Sequence, residues 1–349
     1  MLYFKTTSKK NLKKAVSLIA NGKESITVFC GGIEYVCNET LAVMQESPRP
    51  AAHRDSVEIR ADMTTAEIKN ARRLAAGRRT VRTKEERADA ILEKGDAMTA
   101  AERLELLALV NVAYHSGGSK IEGIFSIDSC ASCDFCQKMI ASAAGRPLVI
   151  CGQCYAERDS YKEFAWRQHS MQARIFASVL FTVDELKALD IPGARCRFNE
   201  DGDTVNETMA RNYLRIAAGH LSTMFGYWYK NAGAVESGLH AEGIYTREQL
   251  PENVRFIHSS VLIGFETSAR WFDDAIFTVY PDENSISEAI AAGAHECNGR
   301  RCRACGFTCY LMARRPEPLR IAEYLRAGKA ARALVMAAYE AEKARRAAL

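Results

Sequence analysis

Nine of the twelve cysteines of this chain lie in two short windows, and their spacing is the pattern best suited to chemistry. The first window contains Cys130, Cys133, Cys136, Cys151 and Cys154, and the second contains Cys297, Cys302, Cys305 and Cys309. Cysteines separated by two residues can direct both thiolates toward one metal ion or cluster. Cysteines scattered through a hydrophobic core would not repeat this spacing. The pattern therefore predicts metal binding in both windows.

The spacing leaves the identity of the metal open between iron–sulfur and zinc. The two C-x2-C pairs of the first window can together form one tetrahedral zinc site, in which the metal is structural. However, Cys130 extends the first pair to C-x2-C-x2-C, and three thiolates at this spacing suit one face of an iron–sulfur cube. In the second window, C-x4-C-x2-C repeats the spacing of the first three ligands of plant-type ferredoxins. We favour an iron–sulfur cluster of the 4Fe-4S type and keep zinc as the alternative.

The composition is that of a protein able to bury a large core. The chain has 349 residues, 48% of them hydrophobic, and a net charge of +4. It has no run of about 18 apolar residues, and its first residues lack the order of a secretory signal, so we expect a cytoplasmic protein without a membrane segment. Thiols stay reduced in the cytoplasm, which favours metal over disulfides. The charge is too mild to indicate a nucleic-acid partner by itself.

The chain divides into four predicted segments. They are a small N-terminal α+β unit over 1–62, a helical segment over 63–115, a β/α domain with the cysteine windows over 116–315, and a C-terminal helix over 316–349. In the first segment, residues 9–19 are predicted to be helical, and Gly31-Gly32 predicts a hairpin between Ser25–Cys30 and Ile33–Cys37. In the second, residues 64–74 are predicted to be helical, and Thr99 and Glu102 match a capping box.

From Gly117 onward, apolar strand-like runs alternate with helical stretches. The predicted strands are 124–127, 147–150, 195–199, 223–229, 254–261 and 275–280. Alternation of this kind indicates βαβ units and a parallel sheet or barrel. Five or six units are fewer than the eight of a complete barrel. The predicted fold class is therefore α/β: a partial or open (β/α) barrel with a small N-terminal α+β extension and cysteine-rich metal-binding loops.

Polar residues follow three consecutive predicted strands. The run Asn199–Asp203 follows the first, Lys230 ends the second, and His258 ends the third. Ligands of α/β folds bind beyond the carboxyl ends of the strands, so these positions are candidates for a site. The candidate catalytic residues are Asp201, Asp203, Lys230 and His258. The alternative is a strand-to-helix turn in which Asp203 or Thr204 caps the following helix.

A basic run lies in the helical segment. Arg72–Arg82 contains five arginines, including its two ends, and neighbours acidic residues that start at Glu85. Such a run can contact the phosphates of a nucleic acid, although a short basic motif is weakly specific. The alternative is a solvated helix face whose charge is balanced by the acidic residues.

Several motifs in a fixed order resemble the phage gene product 88 family. They are C-x-x-C-Y-A at 151–156, R-F-N-x-x-G-D at 197–203, Y-W-Y-K-N at 227–231, and the late C-x-x-C-x-x-x-C at 302–309. The resemblance covers about residues 115–312. It implies a protein of phage or bacterial origin, in the host-cell cytoplasm if it is encoded by a phage. The family has no firmly assigned reaction, so the resemblance implies an architecture and a cluster rather than a substrate.

A wider likeness is to radical S-adenosylmethionine enzymes, which have a partial (β/α) barrel and a cysteine loop after the first strand. This likeness implies that Asn199, Gly202 and Asp203 bind S-adenosylmethionine, at the strand end that holds the methionine amine of that cofactor. In those enzymes the loop is C-x3-C-x2-C and leaves one iron open for the cofactor. Here C-x2-C-x2-C stands in its place, and five cysteines can fill every position. The alternatives are a redox or radical-type enzyme with a small-molecule substrate, and an electron-transferring cluster with a protein partner.

Overall fold

The computed structural model of the protein contains two compact units. One unit comprises Met1–Arg87 and Tyr161–Ala165, and the other comprises Ala88–Ser160 and Trp166–Leu349. Within residues 1–82 the structure describes four strands, and from residue 83 it describes the chain apart from a set of gaps. The gaps are 116–120, 130–147, 151–162, 192, 298–301, 303–304, 307, 326–328 and 349.

The first unit contains a four-stranded sheet in the order β1-β2-β3-β4. The strands are β1 (Leu2–Lys5), β2 (Ser25–Cys30), β3 (Ile33–Asn38) and β4 (Val57–Glu58). Strands β2 and β3 pair antiparallel with Cys30 opposite Ile33, as the glycine pair between them predicts. The predicted helices of residues 9–19 and 64–74 and the basic run Arg72–Arg82 lie outside the described residues.

The second unit is built on an eight-stranded sheet in the order β11-β12-β10-β9-β8-β7-β6-β5. The strands are β5 (Ala113–Tyr114), β6 (Phe125–Ser129), β7 (Arg195–Gly202), β8 (Met224–Tyr229), β9 (Val254–Ser259), β10 (Ala275–Tyr280), β11 (His295–Cys297) and β12 (Leu319–Tyr324). All pairings in it are parallel except that of β5 with β6. The fold is thus α/β with an open, mostly parallel sheet.

The described helices connect these strands or follow them. They are α1 (83–92), α2 (Ala100–Leu109), α3 (Glu163–Ser178), α4 (Val183–Leu186), α5 (Glu207–Gly219), α6 (Ala232–Ala241), α7 (Glu283–Ala291), α8 (Thr308–Leu311) and α9 (Lys329–Ala347). Because parallel strands need a long crossover, most of these helices return the chain to the amino-terminal edge of the sheet. The carboxyl ends of β6 to β10 consequently lie along one edge.

Side-chain caps fix where several helices begin. Thr99 accepts a hydrogen bond from the Glu102 backbone N–H while Glu102 accepts one from that of Thr99, which confirms the predicted capping box. The same reciprocal pair occurs in Thr182 and Glu185 at α4. At α6, Asn231 accepts from the N–H of Ala234. Caps of this kind satisfy donors that a helix start leaves unpaired, so the local sequence sets these boundaries.

One face of the large sheet carries an aromatic core. Phe198 stacks on Tyr213 of α5 at 4.3 Å and on Phe225 of β8 at 4.9 Å between ring centroids. Tyr227 and Phe256, on the next strands, join the same fully buried cluster. Rings of this size bury a large apolar area, so this face holds strands β7 to β9 against their helices.

The C-terminal region differs from the predicted helix over 316–349. Residues Leu319–Tyr324 form strand β12, which pairs in parallel with both β10 and β11, and the helix begins only at Lys329. Ile321 and Ala322 are buried in this position. Strand β12 lies between two other strands, and pairing with distant residues overrides the helical composition around it. None of the helices that the structure describes is both long and apolar enough to span a lipid bilayer.

Candidate functional site

The second cysteine window lies against the sheet face opposite the aromatic core. Cys297 ends β11 and Cys309 lies in α8, and both pack against an apolar cluster that includes Trp228 of β8. Cys309 also contacts a second cluster, together with Cys302. The thiols of all four cysteines of this window are free of disulfide bonds. The five cysteines of the first window lie outside the described residues.

An aromatic ring beside the second cysteine window lies in close contact with the backbone of the sheet. The ring of Tyr310, next to Cys309, covers Gly226 of β8, where a Cβ atom would lie 2.7 Å from the Tyr310 Cε1 atom. Such a contact is too short for any side chain other than that of glycine. Gly226 therefore creates the space in which Tyr310 and the adjoining cysteine lie.

The pKa of Cys309 reflects its surroundings. Burial, and to a lesser extent the neighbouring Cys297, Cys302 and Cys305, raise the pKa of this thiol to about 12, while Arg197 opposes the shift. The Arg197 guanidinium lies 4.3 Å from the centre of the Trp228 ring on the same side of the sheet. Four thiols and one cation thus share a small, partly buried region. In the part of the chain that the structure describes, no three thiols converge closely enough to hold one ion.

An irregular pairing between β6 and β7 changes the direction of the side chains near the end of β7. Ile127 of β6 is opposite Phe198 of β7, whereas Ser129 is opposite Gly202, so two steps on β6 correspond to four on β7. Within this bulge Asn199 has a left-handed backbone, with φ of 60°. A bulge redirects the side chains that follow it. Asn199 consequently points to the aromatic face, as Phe198 does, and Glu200 points to the opposite face.

On the face opposite the aromatic core, Glu200 contacts a histidine and a buried aspartate. His115, directly after β5, has its Nε2 atom 2.8 Å from Glu200 Oε2 and 2.8 Å from Ser126 Oγ. The Ser126 hydroxyl donates to Asp128 Oδ2 at 2.7 Å, and the Glu200 backbone N–H donates to Asp128 Oδ1 at 2.8 Å. The ligand atoms of His115, Asp128 and Glu200 all lie within 4.8 Å of one another. We call these three residues the His115 group.

The His115 group is partly open to solvent. Asp128 is 3% exposed, whereas the side chains of His115 and Glu200 are 20% and 22% exposed. Burial lowers the pKa of His115, but the hydrogen bond to Glu200 and the charges of Glu200 and Asp128 outweigh it, so the net shift is upward. In this chain a histidine therefore lies between two carboxylates.

The predicted cofactor-binding residues Asn199 and Asp203 are buried and hydrogen-bonded to the protein itself. The Asn199 amide oxygen accepts from Ser129 Oγ at 2.6 Å and from Tyr213 OH at 3.2 Å, and its nitrogen donates to the Trp228 carbonyl at 2.9 Å. The Asp203 carboxylate accepts from the backbone N–H groups of Thr204, Lys230 and Asn231 at 2.8 to 3.2 Å.

These contacts give the residues a positioning role. Asp203 joins the loop after β7 to the start of α6 through these hydrogen bonds. The alternative in which Asp203 or Thr204 caps the following helix is wrong, because Asn206 caps α5 by accepting from the Met209 backbone N–H. Burial raises the pKa of Asp203, and Lys230 and the backbone N–H groups oppose the shift. Gly202 has φ of 101°, a conformation that favours glycine, so its part in the bulge is conformational. Asp201 lies in β7 beside it.

His258 belongs to a second, fully buried arrangement. Its Nδ1 atom is 3.1 Å from Asp273 Oδ2, and its ring stacks on Tyr229 at 5.0 Å. The Tyr229 hydroxyl donates to Asp273 Oδ1, and the Arg270 backbone N–H donates to Asp273 Oδ2 at 2.7 Å. We call His258, Asp273 and Tyr229 the His258 group. Asp273 is 0% exposed, and burial raises the pKa of Tyr229 well above its ordinary value.

The structure therefore separates the predicted residues into distinct places. Asn199, Gly202, Asp203 and the backbone of Lys230 meet at the ends of β7 and β8, whereas His258 is paired with Asp273. The sequence analysis missed His115, Ser126 and Asp128. A signal for Asp128 exists, because an acidic residue inside the apolar run of β6 requires a partner. No family model, curated protein or solved structure matches this chain.

Proposed function

We propose that this chain binds an iron–sulfur cluster through its cysteine windows, on an open β/α scaffold like the partial barrels of radical S-adenosylmethionine enzymes. The observation that carries the proposal is the position of Cys309. Its thiol is buried beside three other cysteines whose charges raise its pKa. At neutral pH this raised pKa keeps the Cys309 thiol protonated and unreactive in the absence of a metal. A bound metal removes the thiol protons and neutralises the thiolates, so it accounts for their gathering.

The donor set fits a thiophilic centre. Cys297, Cys302, Cys305 and Cys309 would hold one cluster, and Cys130, Cys133, Cys136, Cys151 and Cys154 would hold a second or share the first. Ser129 ends β6 at the carboxyl edge of the sheet, and Cys130 is the next residue in the sequence. When bound, an iron–sulfur cluster supplies one-electron transfer.

The surrounding residues support a redox centre in two ways. Tyr310 and Trp228 exclude water from one side of the cysteines, and low solvent access is one of the factors that set a cluster potential. Arg197 places a fixed positive charge near Cys309, which favours the thiolate and the more reduced, more negative cluster. The chain around the cysteines is therefore suited to hold and tune a negatively charged centre.

Electron transfer is the function that these contacts favour over chemistry on a bound substrate. The polar atoms of Asn199 are bonded within the protein, and the Asp203 carboxylate accepts backbone N–H groups. Both are residues that S-adenosylmethionine would need. His258 is 4% exposed and paired with Asp273. A protein partner that exchanges electrons with the cluster requires none of these groups.

The test is elemental analysis of the full chain purified without oxygen. We expect iron and acid-labile sulfide in equal amounts and a broad visible absorption that dithionite bleaches. Cys309→Ser should lower the iron content, and Cys154→Ala should lower it separately through the first window. The matched control is Cys196→Ala, since this cysteine is buried in the aromatic core and burial raises its pKa. Its iron content should equal that of the wild type.

Three outcomes would decide against the proposal. A colourless protein with zinc and no iron would favour a zinc-stabilised structural or nucleic-acid-binding protein. Equal iron loss in Cys196→Ala would show that the cysteine windows are not specific ligands. Cleavage of S-adenosylmethionine by the reduced protein would favour a radical-type enzyme over electron transfer.

A further inference from the structure

We propose that the His115 group is a binding site for one divalent transition-metal ion, with nitrogen and oxygen ligands rather than the thiols of the cysteine windows. The group offers one imidazole nitrogen and two carboxylate oxygens within 4.8 Å of one another. Ligands at about 2.1 Å from a metal are separated by roughly 3 to 4 Å, so small side-chain movements would enclose an ion. Imidazole with carboxylates is a donor set that binds Zn²⁺, Fe²⁺ and Mn²⁺.

The charge of the group favours a cation. Asp128 is 3% exposed, and its carboxylate faces that of Glu200 across His115. Two carboxylates held together at the edge of a protein interior are unfavourable unless positive charge lies between them. A protonated His115 supplies one such charge. A divalent ion neutralises both carboxylates and leaves the imidazole neutral, which is the form that binds metals.

The hydrogen bonds around Asp128 orient it for this role. Its Oδ1 atom is held by the Glu200 N–H at 2.8 Å, which directs Oδ2 toward the group. Its backbone carbonyl accepts from Gln172 Nε2 at 2.8 Å, and the Gln172 oxygen in turn accepts from the Asn111 N–H at 2.7 Å. Outer contacts of this kind fix ligand orientation in metal sites.

A fourth ligand lies within reach. His169 of α3 has its Nε2 atom 3.9 Å from Asp128 Oδ2, and its side chain is 13% exposed. With it the site would have two histidines and two carboxylates from four separate segments of the chain. His115 and Glu200, which are about one-fifth exposed, leave a path from solvent.

The probe is Mn²⁺ alone, because this ion prefers nitrogen and oxygen ligands and competes poorly for thiolates. The full-length chain is titrated with Mn²⁺, and free Mn²⁺ is counted by its electron paramagnetic resonance signal. We expect one bound Mn²⁺ per chain. Glu200→Gln, at the more exposed ligand, should weaken binding at least about tenfold, as should Asp128→Asn.

Two variants serve as controls. Glu185→Gln removes a carboxylate that pairs with Arg103, and Cys305→Ser removes an exposed thiol of the second window. Both should bind Mn²⁺ as the wild type does. As a second measurement, Mn²⁺ should raise the thermal unfolding midpoint of the wild type and of both controls but not that of Glu200→Gln.

Distinct results would overturn the proposal. If wild-type protein bound no stoichiometric Mn²⁺, or if Glu200→Gln bound it equally, the His115 group would be an ion-pair network in which a protonated histidine balances the carboxylates. If Cys305→Ser abolished binding, the ion would belong to the cysteine window. A failure of Asp128→Asn to fold leaves Glu200→Gln to decide.

Discussion

Two histidine–carboxylate groups at the carboxyl edge of the sheet use similar residues in opposite ways. In the His258 group, one carboxylate receives hydrogen bonds on both oxygens, from Tyr229 and from Arg270, and contacts the His258 ring. In the His115 group, two carboxylates share one histidine and one serine, with solvent on one side. The first group is almost fully buried, whereas the His115 and Glu200 side chains of the second group are 20% and 22% exposed.

This difference distinguishes a structural contact from a binding site. A buried polar group whose hydrogen bonds are all made stabilises one conformation and has no capacity for a ligand. Two carboxylates and one imidazole that remain open to solvent can bind a cation from outside. The two groups should therefore respond differently to mutation: loss of the His258 group should lower stability, and loss of the His115 group should lower metal binding.

The largest effect is expected for Asp273→Ala. Removal of this carboxylate leaves Tyr229 and His258 without their buried partner, so the free energy of unfolding should fall by about 3–5 kcal/mol. Urea denaturation measures it. The control is Asp184→Ala, whose side chain is 87% exposed and pairs with Lys187, and it should change stability by less than about 0.5 kcal/mol. Equal values for the two variants would show that the His258 group is not a structural unit.

A smaller effect, of about 2–3 kcal/mol, is expected for Asn199→Ala, which loses buried hydrogen bonds and retains a left-handed backbone without glycine. Asn199→Gly loses the same bonds without the strain, so it should be less destabilised by about 1 kcal/mol. Because the bulge directs Glu200, Asn199→Ala should also weaken Mn²⁺ binding. Unchanged Mn²⁺ affinity would show that Glu200 does not depend on the bulge.

Tyr229→Phe should lower the free energy of unfolding by about 1–2 kcal/mol, since it removes one hydrogen bond to a charged acceptor and keeps the ring stacked on His258. Mn²⁺ binding should not change. Chemical denaturation and the Mn²⁺ titration, performed on the same variant, check both statements. A loss of Mn²⁺ binding would mean that the two groups are coupled and that the comparison between them fails.

The smallest effect concerns an ion pair outside both groups. The hydrogen bond from Arg103 lowers the pKa of Glu185 to about 2, so the pair stabilises the fold above the ordinary pKa of 4.5 and the contribution disappears as the pH falls from 4.5 toward 2. Compared with Glu185→Gln, the wild type should be more stable by about 0.5–1 kcal/mol at neutral pH and equally stable near pH 2. Urea denaturation across this range tests the sign. A difference that persisted at pH 2 would contradict it.

Much of the local structure could be predicted from the sequence because its causes are local. The capping box of Thr99 and Glu102 and the strand Ala275–Tyr280 appear where the pattern places them. The hairpin of β2 and β3 does as well. Strand β12 was missed because its pairing partners, β10 and β11, precede it along the chain and leave no mark on its own composition.

For the candidate site, too, the sequence predicted some features and not others. The positions Asn199, Asp203 and Lys230 were found because each lies at or just after the predicted end of a strand, and the structure gathers them at one edge. Their side-chain roles were not predictable, because they depend on which backbone groups lie opposite them. Glu200 would share the face of Phe198 if β7 alternated regularly, and only the bulge at Asn199 turns it toward Asp128.

By itself the sequence determined the spacing of the cysteines, the starts of capped helices and the places of strands β6 to β10 along the chain. These properties depend on residues a few positions apart, where covalent geometry limits the alternatives. The tertiary structure alone decided that His115, Asp128 and Glu200 meet, and that Asp273 closes around His258. These contacts join segments far apart in the chain, and they follow from strand pairing and from one left-handed residue rather than from any local pattern.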